Sequence, residues 1–89
     1  MSNWTIDLSM KMYEHLDLMK LSVRSTFKKK TIKAIRKIEG IRNVIDREDN
    51  QIDIYKSSSY KWKQIETQII TAILSTTKYN YAAIHKLNI

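Results

Sequence analysis

The sequence predicts an α+β fold, a two-layer sandwich in which an antiparallel sheet of four or five strands carries two helices on one face. Three observations predict it. Apolar residues recur with period two near the N-terminus, and they recur at helical spacing in two later segments. A short alternating stretch rich in turn residues separates those two segments. The expected order is ββαββα, closed by a C-terminal strand or short helix, within one domain spanning residues 1–89.

The first strand is the most regular. Trp4, Ile6, Leu8, Met10 and Met12 alternate with Thr5, Asp7, Ser9, Lys11 and Tyr13, which gives the strand one apolar face. After a polar break at Tyr13-Glu14-His15, Leu16 to Val23 reads as a second strand. Its alternation slips between Leu18 and Met19, which predicts a bulge or a late start.

A helix follows over about residues 26–39, because Phe27, Thr31, Ala34, Ile35 and Ile38 share one face at helical spacing. Ser25 or Thr26 is the expected N-cap, since a hydroxyl accepts from the free N–H groups of the first turn. The chain has no proline and a single glycine. That glycine, Gly40, stands where a left-handed residue should end the helix.

Ile41 to Lys56 predicts a hairpin with its turn near Asp49-Asn50 and with Ile52 and Ile54 facing the core. The second helix spans about residues 59–75, on the spacing of Trp62, Ile65, Ile69, Ile70, Ile73 and Leu74. Ser57-Ser58-Ser59 supplies its expected caps, and Trp62 is its expected core anchor. The tail from Thr76 to Ile89 is ambiguous, because Tyr79, Tyr81 and Ala83 alternate while Tyr81, Ala82, Ile84, His85 and Leu87 suit a short helix. A final strand is the preferred reading. The two halves, each a hairpin feeding a helix, form a loose internal duplication.

Two family resemblances attach to these segments. Ile38-Glu39-Gly40-Ile41-Arg42-Asn43-Val44, the strand Ile52-Asp53-Ile54-Tyr55-Lys56 and the helix opening on Trp62 form one pattern. Over about residues 32–74 it resembles the cysteine-free N-terminal domain of NifU-like scaffold proteins. The resemblance implies a NifU-N-like sandwich and a protein-interaction role, as an accessory in iron–sulfur assembly. The cluster-holding CxxC of those proteins belongs to a different domain and is absent here. Separately, Thr31-Ile32-Lys33-Ala34-Ile35-Arg36-Lys37-Ile38-Glu39-Gly40-Ile41 is similar to the first helix of heavy-metal-associated domains, which implies a ferredoxin-like fold. In that alignment the two metal cysteines fall on Ser25 and Lys28, and an ammonium does not replace a soft thiolate.

Composition excludes most chemistry. Without cysteine there are no disulfides, thiolate clusters or Cys nucleophiles. One glycine cannot build a phosphate loop, and no serine sits in a nucleophile elbow. His15 and His85 are seventy positions apart with no third ligand at metal spacing. The acids Asp46, Glu48, Asp49 and Asp53 do not make a calcium loop, because the sixth and twelfth positions from Asp46 hold Gln51 and Ser57. The expectation is no enzyme activity, no metal and no cofactor. The N-terminus lacks a basic region followed by an apolar run, and the uncharged stretch from Thr67 to Thr77 falls short of the ~20 residues of a membrane span. An intracellular, cytoplasmic location is therefore expected.

Charge is the informative property. The net charge is +7 and the isoelectric point about 9.7. Residues 24–42 hold eight bases (Arg24, Lys28, Lys29, Lys30, Lys33, Arg36, Lys37 and Arg42) against one acid, Glu39. Like charges at i, i+3 and i+4 repel and weaken a helix, so the clustering favours an anionic partner. These eight residues are the candidate nucleic-acid contacts. Outward aromatics are few, with Tyr55 beside Gln51 and Asp53 and with Tyr79 and Tyr81 as additions. Duplex or structured nucleic acid, bound through phosphates, is expected ahead of stacked single strands. An acidic protein surface would use the same lysines and is the alternative partner.

Overall fold

Strand pairing, more than helix packing, sets the architecture. The computed structural model describes residues 8–89, and the expected strand positions Trp4 and Ile6 lie outside the described residues. Strand β1 (Ser9–Tyr13) and strand β2 (Leu18–Ser22) form an antiparallel hairpin across a 3-10 turn at Glu14–Leu16. Helix α1 (Ser25–Arg36) leads to a second hairpin, β3 (Ile41–Asp46) and β4 (Gln51–Lys56), and then to helix α2 (Trp62–Thr76). The tail ends in a strand, β5 (His85–Asn88), but not at the alternating residues Tyr79, Tyr81 and Ala83; Tyr81–Ala83 is a 3-10 turn, and His85 and Leu87, which suited a helix, lie in the strand.

The five strands lie in the order β3-β4-β2-β1-β5. The hairpins join through β2 and β4, which pair antiparallel, so the order β3-β4 mirrors the order β1-β2 across that seam. This is the internal duplication in spatial form. The sheet is mixed and not wholly antiparallel as the sequence suggested, because β5 runs parallel to β1. A parallel partner requires a crossover, and α2 together with the tail provides it. Omitting β1, the path β2-α1-β3-β4-α2-β5 is the split β-α-β arrangement of a ferredoxin-like sandwich, with β1 inserted between β2 and β5.

One face of the sheet is dry. Met10, Met12, Met19, Leu21, Val44, Ile52 and Ile54 form one core with Ile32 and Ile35 of α1 and Trp62, Ile65, Ile69 and Ile73 of α2. Ile52 and Ile54 face that core as their alternation predicts. The slip at Leu18-Met19 is a late start, not a bulge in β2. Both residues are buried, but Met19 belongs to the core and Leu18 lies on the opposite face of the sheet.

The helix ends differ from expectation in informative ways. Neither Ser25 nor Thr26 caps α1. The Ser25 N–H instead donates to Asn50 Oδ1 at 3.0 Å, so the hairpin turn twenty-five residues away caps the helix. Helix α1 stops at Arg36, and Gly40 is the last residue before β3, with φ +98°. The three serines do not cap α2. Gln64 folds back so that its Oε1 accepts from the Lys61 N–H at 2.7 Å. The turn between β3 and β4 falls where expected, and Asp49 takes the left-handed conformation that closes it (φ 56°).

Candidate nucleic-acid interface

The apolar stripe of α1 decides which of its bases can face solvent. With Thr31, Ile32 and Ile35 buried against the sheet and α2, Lys29, Lys30, Lys33, Arg36 and Lys37 stand exposed along the opposite side. Arg24 is exposed at the N-cap. Between α1 and the β3 edge, Lys29, Lys30, Lys33, Arg36 and Asp46 border a shallow recess of about 350 Å³ floored by Ile32. The Arg36 guanidinium donates to the Val44 carbonyl at 3.1 Å, which fixes one wall of that recess to β3.

Lys28 does not belong to the array. Its side chain turns inward and the residue is 7% exposed. The ammonium pairs with Asp46 Oδ1 at 2.7 Å and donates to the carbonyls of Arg47 and of Asp49, the latter at 2.6 Å. Three acceptors around one ammonium make Lys28 the pin between α1 and the hairpin turn, beside the Asn50 cap. Sequence spacing hides this, since only the folded hairpin brings residues 46–50 under the first turn of the helix.

Arg42 also leaves the array. It sits on β3, where the pairing register shifts between Ile41 and Asn43, and borders a recess with Asn43, Ile45 and Tyr55 on the far side of the sheet. Two lysines outside the sequence-derived set, Lys11 and Lys20, are exposed on that same side and pair directly across β1 and β2. Strict alternation of β1 placed Lys11 outward, but nothing local announced that Lys20 would stand opposite it.

The protein's acids are largely engaged elsewhere. Arg47 Nε lies 2.9 Å from Asp53 Oδ2, a contact that holds the guanidinium further in its charged form through that hydrogen bond. Lys86 meets Glu66 at 2.5 Å, and Glu39 accepts from the Tyr60 hydroxyl at 2.9 Å. Lys56 takes Asp17 and Glu14. Among the described residues, Lys29, Lys30, Lys33 and Lys37 therefore have no acidic partner. No acid stands within the first turn of α1 itself.

Other candidates are chemically quieter. A recess of about 670 Å³ at the start of α2 has walls of mixed sign from Glu14, Lys61, Lys63 and Glu66. His15 and His85 are exposed, and among the described residues no three of His, Asp and Glu converge as a ligand set. Among the described residues, no helix is long and apolar enough to cross a membrane. Compared with known proteins, the chain matches no family model, no curated protein and no solved structure.

Proposed function

We propose that this chain is a non-enzymatic binding module that docks nucleic acid, duplex or structured, through the exposed bases of α1. The observation that carries the reading is the uncompensated row Lys29, Lys30, Lys33 and Lys37, joined by Arg36. A helix that gathers like charges without neutralising them accepts a repulsion that a polyanion relieves. Spaced ammonium groups on a rigid rod neutralise successive phosphates without reading bases.

Salt titration of duplex binding tests the reading. Each phosphate contact should add about −0.9 to the slope of log K against log salt. A slope near zero, or no binding at low salt, removes nucleic acid as the partner. Binding of a polyglutamate probe in its place would assign the array to an acidic protein surface.

A further inference from the structure

The sheet face turned away from the helices carries a second, different pattern. Pairing places Tyr13, Leu18 and Tyr55 side by side on β1, β2 and β4, with Asn43 of β3 next to Tyr55. Leu18 is only 9% exposed yet lies outside the core, between its two tyrosine cross-strand neighbours. The two tyrosines stand two strand spacings apart, about 10 Å. Tyr79 and Tyr81 do not join them. Tyr79 packs edge-on against Phe27 of α1, with ring centroids 6.0 Å apart, and Tyr81 lies in the 3-10 turn of the tail.

Cations border this aromatic row. Lys11 and Lys20 stand directly opposite each other one row along, both exposed and without an acidic partner among the described residues. Like charges directly opposed across a strand pair are destabilising. Asp53, the cross-strand neighbour of Lys20, is held by Arg47. On the other flank the β3 irregularity acts on Arg42. In an unbroken strand Arg42 would share the face of Val44, which is buried in the core. The register shift beside it instead leaves Arg42 exposed, bordering with Asn43, Ile45 and Tyr55 a recess of about 430 Å³.

We propose that this open sheet face is a binding site for single-stranded nucleic acid, with bases stacked on Tyr55 and Tyr13 and phosphates met by Arg42, Lys20 and Lys11. Only a single strand presents base faces and phosphates together. A duplex hides its base faces, and an acidic peptide would leave both tyrosines unused. The residues are distinct from the α1 array and lie on the opposite side of the sandwich, so either site can fail without the other.

The test uses the full chain and labelled oligothymidylate, followed by fluorescence anisotropy, with a hairpin duplex measured in parallel. Tyr55→Leu should weaken oligothymidylate binding by roughly 5- to 160-fold, the worth of one base–aromatic stack, while Tyr55→Phe retains it. Duplex binding by Tyr55→Leu should be unchanged. Lys11→Gln with Lys20→Gln, both at exposed positions, should lower the single-strand salt slope by up to about 1.4. This second variant decides the matter if Tyr55→Leu fails to fold by circular dichroism. Three results would overturn the proposal: no oligothymidylate binding by the wild type, equal binding by folded Tyr55→Leu, or an unchanged slope in the double variant. Loss of duplex binding in the wild type with single-strand binding intact would sink only the α1 reading.

Discussion

Lys56 sets its ammonium 2.6 Å from Asp17 Oδ1, tying the end of β4 to the turn between β1 and β2. The lysine is 2% exposed, and its ammonium also lies 3.6 Å from Glu14 Oε2 and 5.5 Å from the centre of the Trp62 ring. The backbone repeats the tie, since the Lys56 N–H donates to the Asp17 carbonyl at 3.0 Å. Asp17 itself is left-handed (φ 52°), a conformation aspartate and asparagine tolerate.

Asp17→Asn therefore isolates the charge without straining the backbone. Removing one partner of a fully buried pair costs about 3–5 kcal/mol. Here Asp17 is one-third exposed and Glu14 remains nearby, so a loss of about 1–3 kcal/mol is expected. Adding Lys56→Met should recover part of it, because the stranded ammonium is then gone. Chemical denaturation of both variants checks this; a double variant less stable than Asp17→Asn alone contradicts the account.

Lys28 and the exposed lysines should separate cleanly. Lys28→Met leaves the Arg47 and Asp49 carbonyls without their donor and should cost about 1–3 kcal/mol of stability. Its effect on the duplex salt slope should be nil. Lys30→Gln, Lys33→Gln and Lys37→Gln together should do the reverse, lowering that slope by up to about 3 while stability moves by less than about 1 kcal/mol. Thermal melts and salt titrations on the same preparations give both readouts.

Gly40 is the position least tolerant of a side chain. Its φ of +98° disfavours any L residue, and an added Cβ would stand 3.1 Å from the Tyr60 ring and 3.2 Å from Ile65 Cδ1. Gly40→Ala should cost more than the ~1 kcal/mol typical of backbone effects alone. A melt indistinguishable from wild type would show that the turn before β3 relaxes freely.

Trp62 behaves as the core anchor its place in the helical stripe predicts, at 1% exposure. Trp62→Ala should destabilise by about 3–5 kcal/mol. Trp62→Phe should lose less, because the indole N–H finds no acceptor among the described residues and its removal relieves an unmet donor. A loss under about 1 kcal/mol for Trp62→Ala would contradict core anchoring.

Much of the fold was legible because the signals are local. The period-two run through Met10 and Met12, the stripe through Ile65, Ile69 and Ile73, and the turn at Asp49-Asn50 each follow from backbone geometry within a few residues. The same geometry identified five exposed bases of α1, since their offset from Ile35 is a property of one helix. Element kinds and order, one basic helix face and one buried tryptophan were thus determined by the sequence by itself.

Tertiary structure decided everything that depends on which segments meet. The parallel docking of β5 on β1 joins residues far apart in the chain, and no local pattern encodes a strand's neighbour. Lys28 turned inward because Asp46 and the carbonyls of Arg47 and Asp49 arrived beneath it, and Asn50 replaced Ser25 and Thr26 as the cap by the same approach. Tyr13 came to share a row with Leu18 and Tyr55 only through two strand registers, and a register is chosen by the burial of a whole face at once. Burial is summed over distant segments, so a side chain's partner is settled only when all of them have packed.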